Sequence, residues 1–258
     1  MLFRSFMKDK KIANYVDHLV EWLHEERKLR NLDGFVVGLS GGVDSAVVSC
    51  LLAKADLKNS FAVMMPCHSN AEDLVDAKRV LDVCKLDHTT VDLSATHSTF
   101  YQTVGAANLQ GKTVNDARVI DGNVRARLRM VTLYAIAQAR NALVVGTDNQ
   151  VEWQLGYFTK YGDGGVDVIP LFHLMKDDVY DLARYLGVPS SVIDKKPSGG
   201  LWESQTDEGE IGLSYAEMNR ALRGETVSAE TSAIIKHWHD RSQHKREMPK
   251  VPKAFADF

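Results

Sequence analysis

The stretch Val36-Val37-Gly38-Leu39-Ser40-Gly41-Gly42-Val43-Asp44-Ser45 gathers residues suited to binding a phosphate chain. An apolar run ends there in a turn of small residues, and a helical pattern follows. Glycines let the backbone approach a ligand closely, the serines add hydroxyls, and the bare amides of a helix N-terminus make an anion site. The loop lacks the G-x-x-x-x-G-K-[ST] spacing of a Walker loop, and its charged residue is Asp44 instead of a lysine. A carboxylate among phosphate ligands calls for a divalent cation between them. A second acid, Glu152, closes the run Gly146-Thr147-Asp148-Asn149-Gln150-Val151-Glu152. Two carboxylates converging on a triphosphate suit magnesium, which completes its shell with water and phosphate oxygens. Thr147, directly after an apolar run, is suited to touch a ligand or to cap the next helix. The competing account of the loop is an ordinary strand-turn-helix whose glycines serve only the turn.

These residues need a scaffold that brings strand ends together. Strands are expected at 34–39, 61–65, 89–93 and 143–145, and helices at 43–57, 71–84 and 115–139, with a short helix and a turn between 95 and 111. This alternation predicts an α/β fold, a doubly wound parallel sheet flanked by helices on both faces, with the ligand at the carboxyl ends of the strands. If strands one and four flank the crevice, Asp44 and Glu152 face each other across it. Ile12, Tyr15, Val16, Leu19, Val20 and Leu23 recur at three- and four-residue steps and predict a leading amphipathic helix packed on its own domain, with a subunit contact as the alternative. Within 115–139, Arg125 and Arg129 share one face, read as solvated. Arg127 lies beside Val124, Leu128 and Val131 and is expected to make an anion contact at a buried edge.

With 258 residues and 45% hydrophobic composition, the chain can bury one substantial core, and residues 1–258 are read as one domain. A formal charge of -3 argues against nonspecific nucleic-acid binding, and neither a membrane-length apolar run nor a secretory signal is evident, so a cytoplasmic location is expected. Cys50, Cys67 and Cys84 are well separated and read as core thiols. Residues 195–213 are rich in Gly, Ser, Pro and acids, too long for a simple connector, and predict an active-site lid. A helix carrying Ile234, Ile235 and Trp238 then leads into a basic tail at 241–258. His237 and His239, two apart, point to different sides and are not paired metal ligands.

The S-G-G-x-D-S string resembles the pyrophosphate loop of the N-type ATP pyrophosphatases. The runs 123–130, 146–152 and 156–167, Lys176, Pro197 to Trp202, Thr206-Asp207-Glu208, Gly212 to Tyr215 and His244-Lys245-Arg246 look like successive signatures of the NAD synthetases, in family order. No amino-terminal glutaminase domain is evident, so the resemblance is to the short, ammonia-dependent form. It implies amidation of deamido-NAD+ to NAD+ through an adenylated carboxylate, using ATP and Mg2+, by a homodimer. It further implies that Gly38, Leu39, Ser40, Gly41, Gly42, Val43, Asp44 and Ser45 hold the leaving pyrophosphate. Thr147, Lys176 and Ser198 would contact ATP, Asp44 and Glu152 the metal, and Arg127, Lys160, Asp167, His244 and Lys245 the dinucleotide. By itself Lys176 would pass for a surface lysine, and Asp163, in a Tyr-Gly-Asp-Gly-Gly run, for a turn residue. The resemblance makes Lys176 catalytic alongside Asp44, and Asp163 is expected to bind ammonium or accept its proton. The alternatives are an RNA-modifying ATP pyrophosphatase and a non-enzymatic nucleotide sensor. The first lacks cysteine pairs and a basic RNA-binding domain here, and the second would have lost Asp44, Glu152 or Lys176.

Overall fold

A computed structural model describes residues 2–105, 113–200 and 205–255. In it four parallel strands, β1 (Gly34–Gly38), β2 (Ser60–Met64), β3 (Asp87–Thr90) and β4 (Ala142–Val145), form a sheet in the order β3-β2-β1-β4. Residues alternate between its faces because a strand's side chains have a period of two. Phe35, Val37, Leu143 and Val145 point into one core with Ala62 and Met64, while Val36, Val63 and Val144 point into the other. The reversal of strand order falls between β1 and β4, so the two flank the crevice as expected. The third strand starts earlier than the expected Thr89, and Val91 and Leu93 continue past it as irregular chain bonded to Met64 and Pro66. Beyond β4, a single parallel bridge from Val145 to Val168 extends the sheet at a place where no strand was expected.

Helices α1 (Leu2–Leu29), α2 (Val43–Asp56) and α3 (Ala71–Cys84) precede α4 (Ser94–Val104) and α5 (Val114–Ala139). After β4 come α6 (Gln150–Leu155), α7 (Lys176–Tyr185), α8 (Ser190–Ile193), α9 (Asp207–Ile211), α10 (Tyr215–Leu222) and α11 (Ala229–Arg241). Val16, Leu19 and Leu23 of α1 are buried against α2 and α7, so the leading helix packs on its own domain, each such side chain contributing about 1.5–3 kcal/mol. On the opposite face α5 covers β1 and β4. Several starts follow from local capping. Asn70 accepts the Glu72 amide, Thr113 and Asp116 form a capping box, and so do Ser214 and Glu217. Cys50, Cys67 and Cys84 are buried free thiols. Among the described residues no helix is long and apolar enough to cross a membrane.

The segment 195–213 is only partly irregular. It contains α9, and Ile211 and Leu213 are buried in a third apolar cluster with Val151, Met175 and Met218, so its end is anchored. Residues 201–204, within the expected lid, lie outside the described residues, as do 106–112 in the expected turn after α4.

Candidate active site

A cleft of about 1000 Å³ opens at the carboxyl ends of β1, β2 and β4. Its floor is the loop between β1 and α2. Gly41 has φ +87, and a Cβ there would stand 2.3 Å from the Asp73 carbonyl oxygen, so both conformation and space demand glycine. The serine hydroxyls hold the turn: Ser45 Oγ donates to the Gly42 carbonyl at 2.9 Å and lies 3.1 Å from Ser40 Oγ. Gly42 is the N-cap of α2 and offers no side-chain acceptor, leaving the first-turn amides available to an anion.

Three charged residues from separate elements converge beside that terminus. Lys176, the first residue of α7, is 2% exposed, and its Nζ lies 2.6 Å from Asp44 Oδ2 and 3.2 Å from Glu152 Oε1. Asn149 Nδ2 donates to Asp44 Oδ1 at 2.9 Å. Asn149 also caps α6 reciprocally with Glu152, so the N-cap is Asn149 and Thr147 is left to line the cleft. Burial opposes the charge on Lys176, but Asp44 and Glu152 outweigh it and hold the ammonium well above the usual lysine range. Burial pushes Glu152 up to about 7, with Asp44 adding to the rise and Lys176 opposing it. Asp207, at the start of α9, is also raised by burial and accepts the Tyr215 hydroxyl at 2.8 Å, while its Oδ1 finds no donor among the described residues. Asp148 is 5% exposed, is raised far above the usual carboxylate range by burial and by neighbouring carboxylates, and has an Oδ2 equally unpartnered.

Burial holds Asp148, Glu152 and Asp207 toward their neutral forms around one lysine, and a divalent cation would favour their ionised forms and so fits the site. Among the described residues no three acids, imidazoles or thiols gather tightly enough to enclose a cation by themselves. Asp44 and Glu152 suit an ion that takes its other ligands from water and phosphate.

The remaining expected residues divide into two groups. Lys245 lies in the cleft, donating to the carbonyls of Gly156 at 2.7 Å and Phe158 at 2.5 Å, and Asp163 faces it, its Oδ1 accepting the Thr159 amide at 2.9 Å. Burial pushes the Asp163 carboxyl above its usual range, against the Thr159 amide and the Lys245 charge. Ser198 lines the opposite lip, where its hydroxyl accepts the Gly200 amide. Arg127, Lys160, Asp167 and His244 lie outside the cleft lining. Lys160 Nζ donates to the His244 carbonyl. Asp167 is occupied at the sheet edge, accepting from the Val144 amide at 2.8 Å and the Tyr134 hydroxyl at 3.0 Å.

The arginines of α5 reverse the sequence expectation. Arg127 is exposed and donates to the Lys160 carbonyl, with no buried edge around it. Arg125 and Arg129, expected to be solvated, turn inward. Arg129 donates to the Met65 carbonyl at 3.1 Å and Ser69 Oγ at 3.2 Å and lines the cleft, while Arg125 reaches the Cys67 carbonyl and Asp121. The face that decides their direction is set further along, by Leu133 and Ala137, which follow Arg129 at steps of four and pack on the sheet. Val131, counted on the apolar face, is 60% exposed. In α11, His239 Nδ1 bonds the Gln154 carbonyl whereas His237 is exposed, consistent with their pointing apart.

Known proteins resemble this chain over nearly its whole length. The family described as NAD synthase matches residues 15–249. An NH(3)-dependent NAD(+) synthetase of Alkaliphilus oremlandii is 45% identical over 94% of this chain and 98% of its own, and one of Mannheimia succiniciproducens is 44% identical over 95% and 97%. Among solved structures, an NMN synthetase from Francisella tularensis superposes with TM-score 0.88 at 40% identity, covering 94% of this chain and 99% of that one. An NH3-dependent NAD synthetase from Campylobacter jejuni superposes with TM-score 0.76 at 30% identity over 94% and 99%.

Proposed function

The chain belongs to the NAD synthase family, and on that premise we propose how its cleft divides the work. It is a ligase that amidates deamido-NAD+ to NAD+ with ATP and ammonia. A carboxylate is a poor acyl donor, so a nicotinate carboxylate oxygen attacks the α-phosphorus of ATP and pyrophosphate leaves. Ammonia then adds to the acyl carbon, loses a proton, and displaces AMP.

In this reading Gly38 to Ser45 and the open amides of α2 hold the departing pyrophosphate, where fixed dipoles act on growing negative charge. Lys176 keeps its charge beside the phosphates, and Thr147 and Ser198 contact ATP from the two lips of the cleft. Asp44 and Glu152 would hold Mg2+, which when bound offsets charge on the leaving group. Asp163 receives the ammonium. Lys245 reaches the dinucleotide within the cleft, while Arg127, Lys160, Asp167 and His244 serve it from outside. For these outer residues we propose a homodimer that closes the dinucleotide site. Arg127 and Val131 are both exposed one helical turn apart on α5, Arg127 donates to the carbonyl of Lys160 next to the half-exposed Tyr161, and large exposed side chains of this kind suit contact with a second copy. Residues 1–258 act as one domain, with 195–213 as the covering segment.

The observation that carries this reading is the Asp44–Lys176–Glu152 cluster set against an uncapped helix N-terminus. The test incubates the protein with ATP and Mg2+, with deamido-NAD+ and ammonium each present or omitted, and follows products by mass. One NAD+, one AMP and one pyrophosphate per turnover, only with both substrates, is expected. ATP left intact, or cleaved to ADP, under every condition would refute it. The likeness to an NMN synthetase favours a second substrate reading, the nicotinate mononucleotide. Equal enzyme given both acids decides by the ratio of kcat/KM values.

A further inference from the structure

We propose that Asp148 is a ligand for the incoming ammonium, forming with Asp163 a two-carboxylate subsite in the cleft, beside the Asp44–Glu152 pair. The inference rests on the amidation reading above, and it begins from a side chain that reading leaves without work. Asp148 lies between β4 and α6, is 5% exposed, lines the cleft, and has a carboxylate oxygen with no hydrogen-bond donor among the described residues. An unpartnered buried carboxyl oxygen is costly, so such a group marks a place where a donor arrives with the ligand.

The neighbours already have partners. Lys176 is held by Asp44 and Glu152, Lys245 Nζ donates to two backbone carbonyls, and Asn149 is committed to Asp44 and to capping α6. Asp207 shares the defect of an unpartnered oxygen, but its other oxygen holds the Tyr215 hydroxyl and Lys176 lies near it. Asp148 has as neighbours Asp163, Glu152 and Asp44, all acids, opposed by Lys176 and by the Lys245 ammonium, whose protons already serve carboxylates and backbone carbonyls. Of the reaction's substrates, ATP and the dinucleotide are anions that such a place repels. Ammonium is a small cation with four donors, and its charge offsets the burial that holds both carboxyls toward the neutral acid, so that it can serve the two in their ionised form.

The test measures steady-state KM for ammonium and for ATP in Asp148→Asn, together with exchange of labelled pyrophosphate into ATP in the presence of deamido-NAD+ and without ammonium. The exchange reports adenylation alone. Ammonium KM is expected to rise about tenfold or more, the worth of one charge-assisted hydrogen bond, with ATP KM and exchange changed less than about threefold. An unchanged ammonium KM overturns the proposal. A parallel loss of exchange and ATP affinity also overturns it, assigning Asp148 to the metal and phosphate side. Should Asp148→Asn fail to fold, Asp148→Glu, which displaces the carboxylate by one methylene, is read by the same criteria. Wild-type protein that forms no amide at any ammonium concentration refutes the amidation reading itself, a result distinct from either.

Discussion

Replacing Lys176 with Met keeps most of the side-chain volume while leaving two carboxylates without their shared cation. Breaking a buried ion pair by removing one partner costs about 3–5 kcal/mol when the other must stay charged. Here the cost is smaller, because Glu152 already sits at about 7 and takes up a proton once Lys176 is gone. Its folded-state pKa is raised above the unfolded value, so its stability contribution is greatest at low pH and declines as pH rises through that interval. In the wild type the decline ends near pH 7. In Lys176→Met it continues upward, at about 1.4 kcal/mol per pH unit. Adding the lost contact with Asp44, which keeps Asn149 as a donor, we expect about 2–3 kcal/mol at pH 8 and about half of that at pH 6. For a chain of this length that is a melting shift of roughly 4–12 °C at pH 8. Thermal melts of both proteins across pH 6–8.5, in EDTA, measure it. A gap that stays constant or narrows with rising pH would refute the reasoning. In the same variant, turnover is expected to fall by about 100-fold or more, since a fixed charge at the phosphates is lost.

Other substitutions probe the cleft from different sides. Glu152→Gln removes a carboxylate that burial disfavours, so it is expected to melt no lower than wild type at pH 8 while losing most Mg2+-dependent adenylation, measured by pyrophosphate exchange. Gly41→Ala puts a methyl 2.3 Å from the Asp73 carbonyl at positive φ, and should cost more than about 2 kcal/mol in chemical denaturation. Asp76 is buried and, despite desolvation, Arg79, Ser191 and Lys195 hold its carboxyl below the usual range. Its contribution is therefore complete above the unfolded carboxylate pKa of about 3.9 and lost as pH falls through the lowered one. Asp76→Asn should lower the melting temperature at pH 7 and shrink the difference from wild type below about pH 3.

Much of the frame was legible because it is local. Glycine-rich turns at a strand end, capping residues and periodic apolar runs act within a few residues, so β1, α2, α3 and α5 fall near their expected positions. The third strand was less legible, since Asp87 to Thr90 is mostly exposed and polar and is defined by pairing with β2 alone. The α5 arginines turn opposite to the sequence expectation for a related reason. A helix wheel orders residues around an axis, but the sheet that α5 covers decides which sector is inside, and that sector runs through Arg129, Leu133 and Ala137.

The sequence by itself determined the glycine-rich loop and the wound sheet, which follow from backbone preferences and periodicity and are short-range, while Lys176 was singled out only by the likeness to the NAD synthetases. Only the tertiary structure decided that Lys176, 132 residues from Asp44 along the chain, is buried between two carboxylates instead of lying on the surface. It likewise decided that Asp148 Oδ2 is buried with no donor among the described residues and that Arg127, Asp167 and His244 stand outside the cleft. Burial and charge balance depend on which distant elements meet, and that is set when α6, α7 and α9 close around the end of β4.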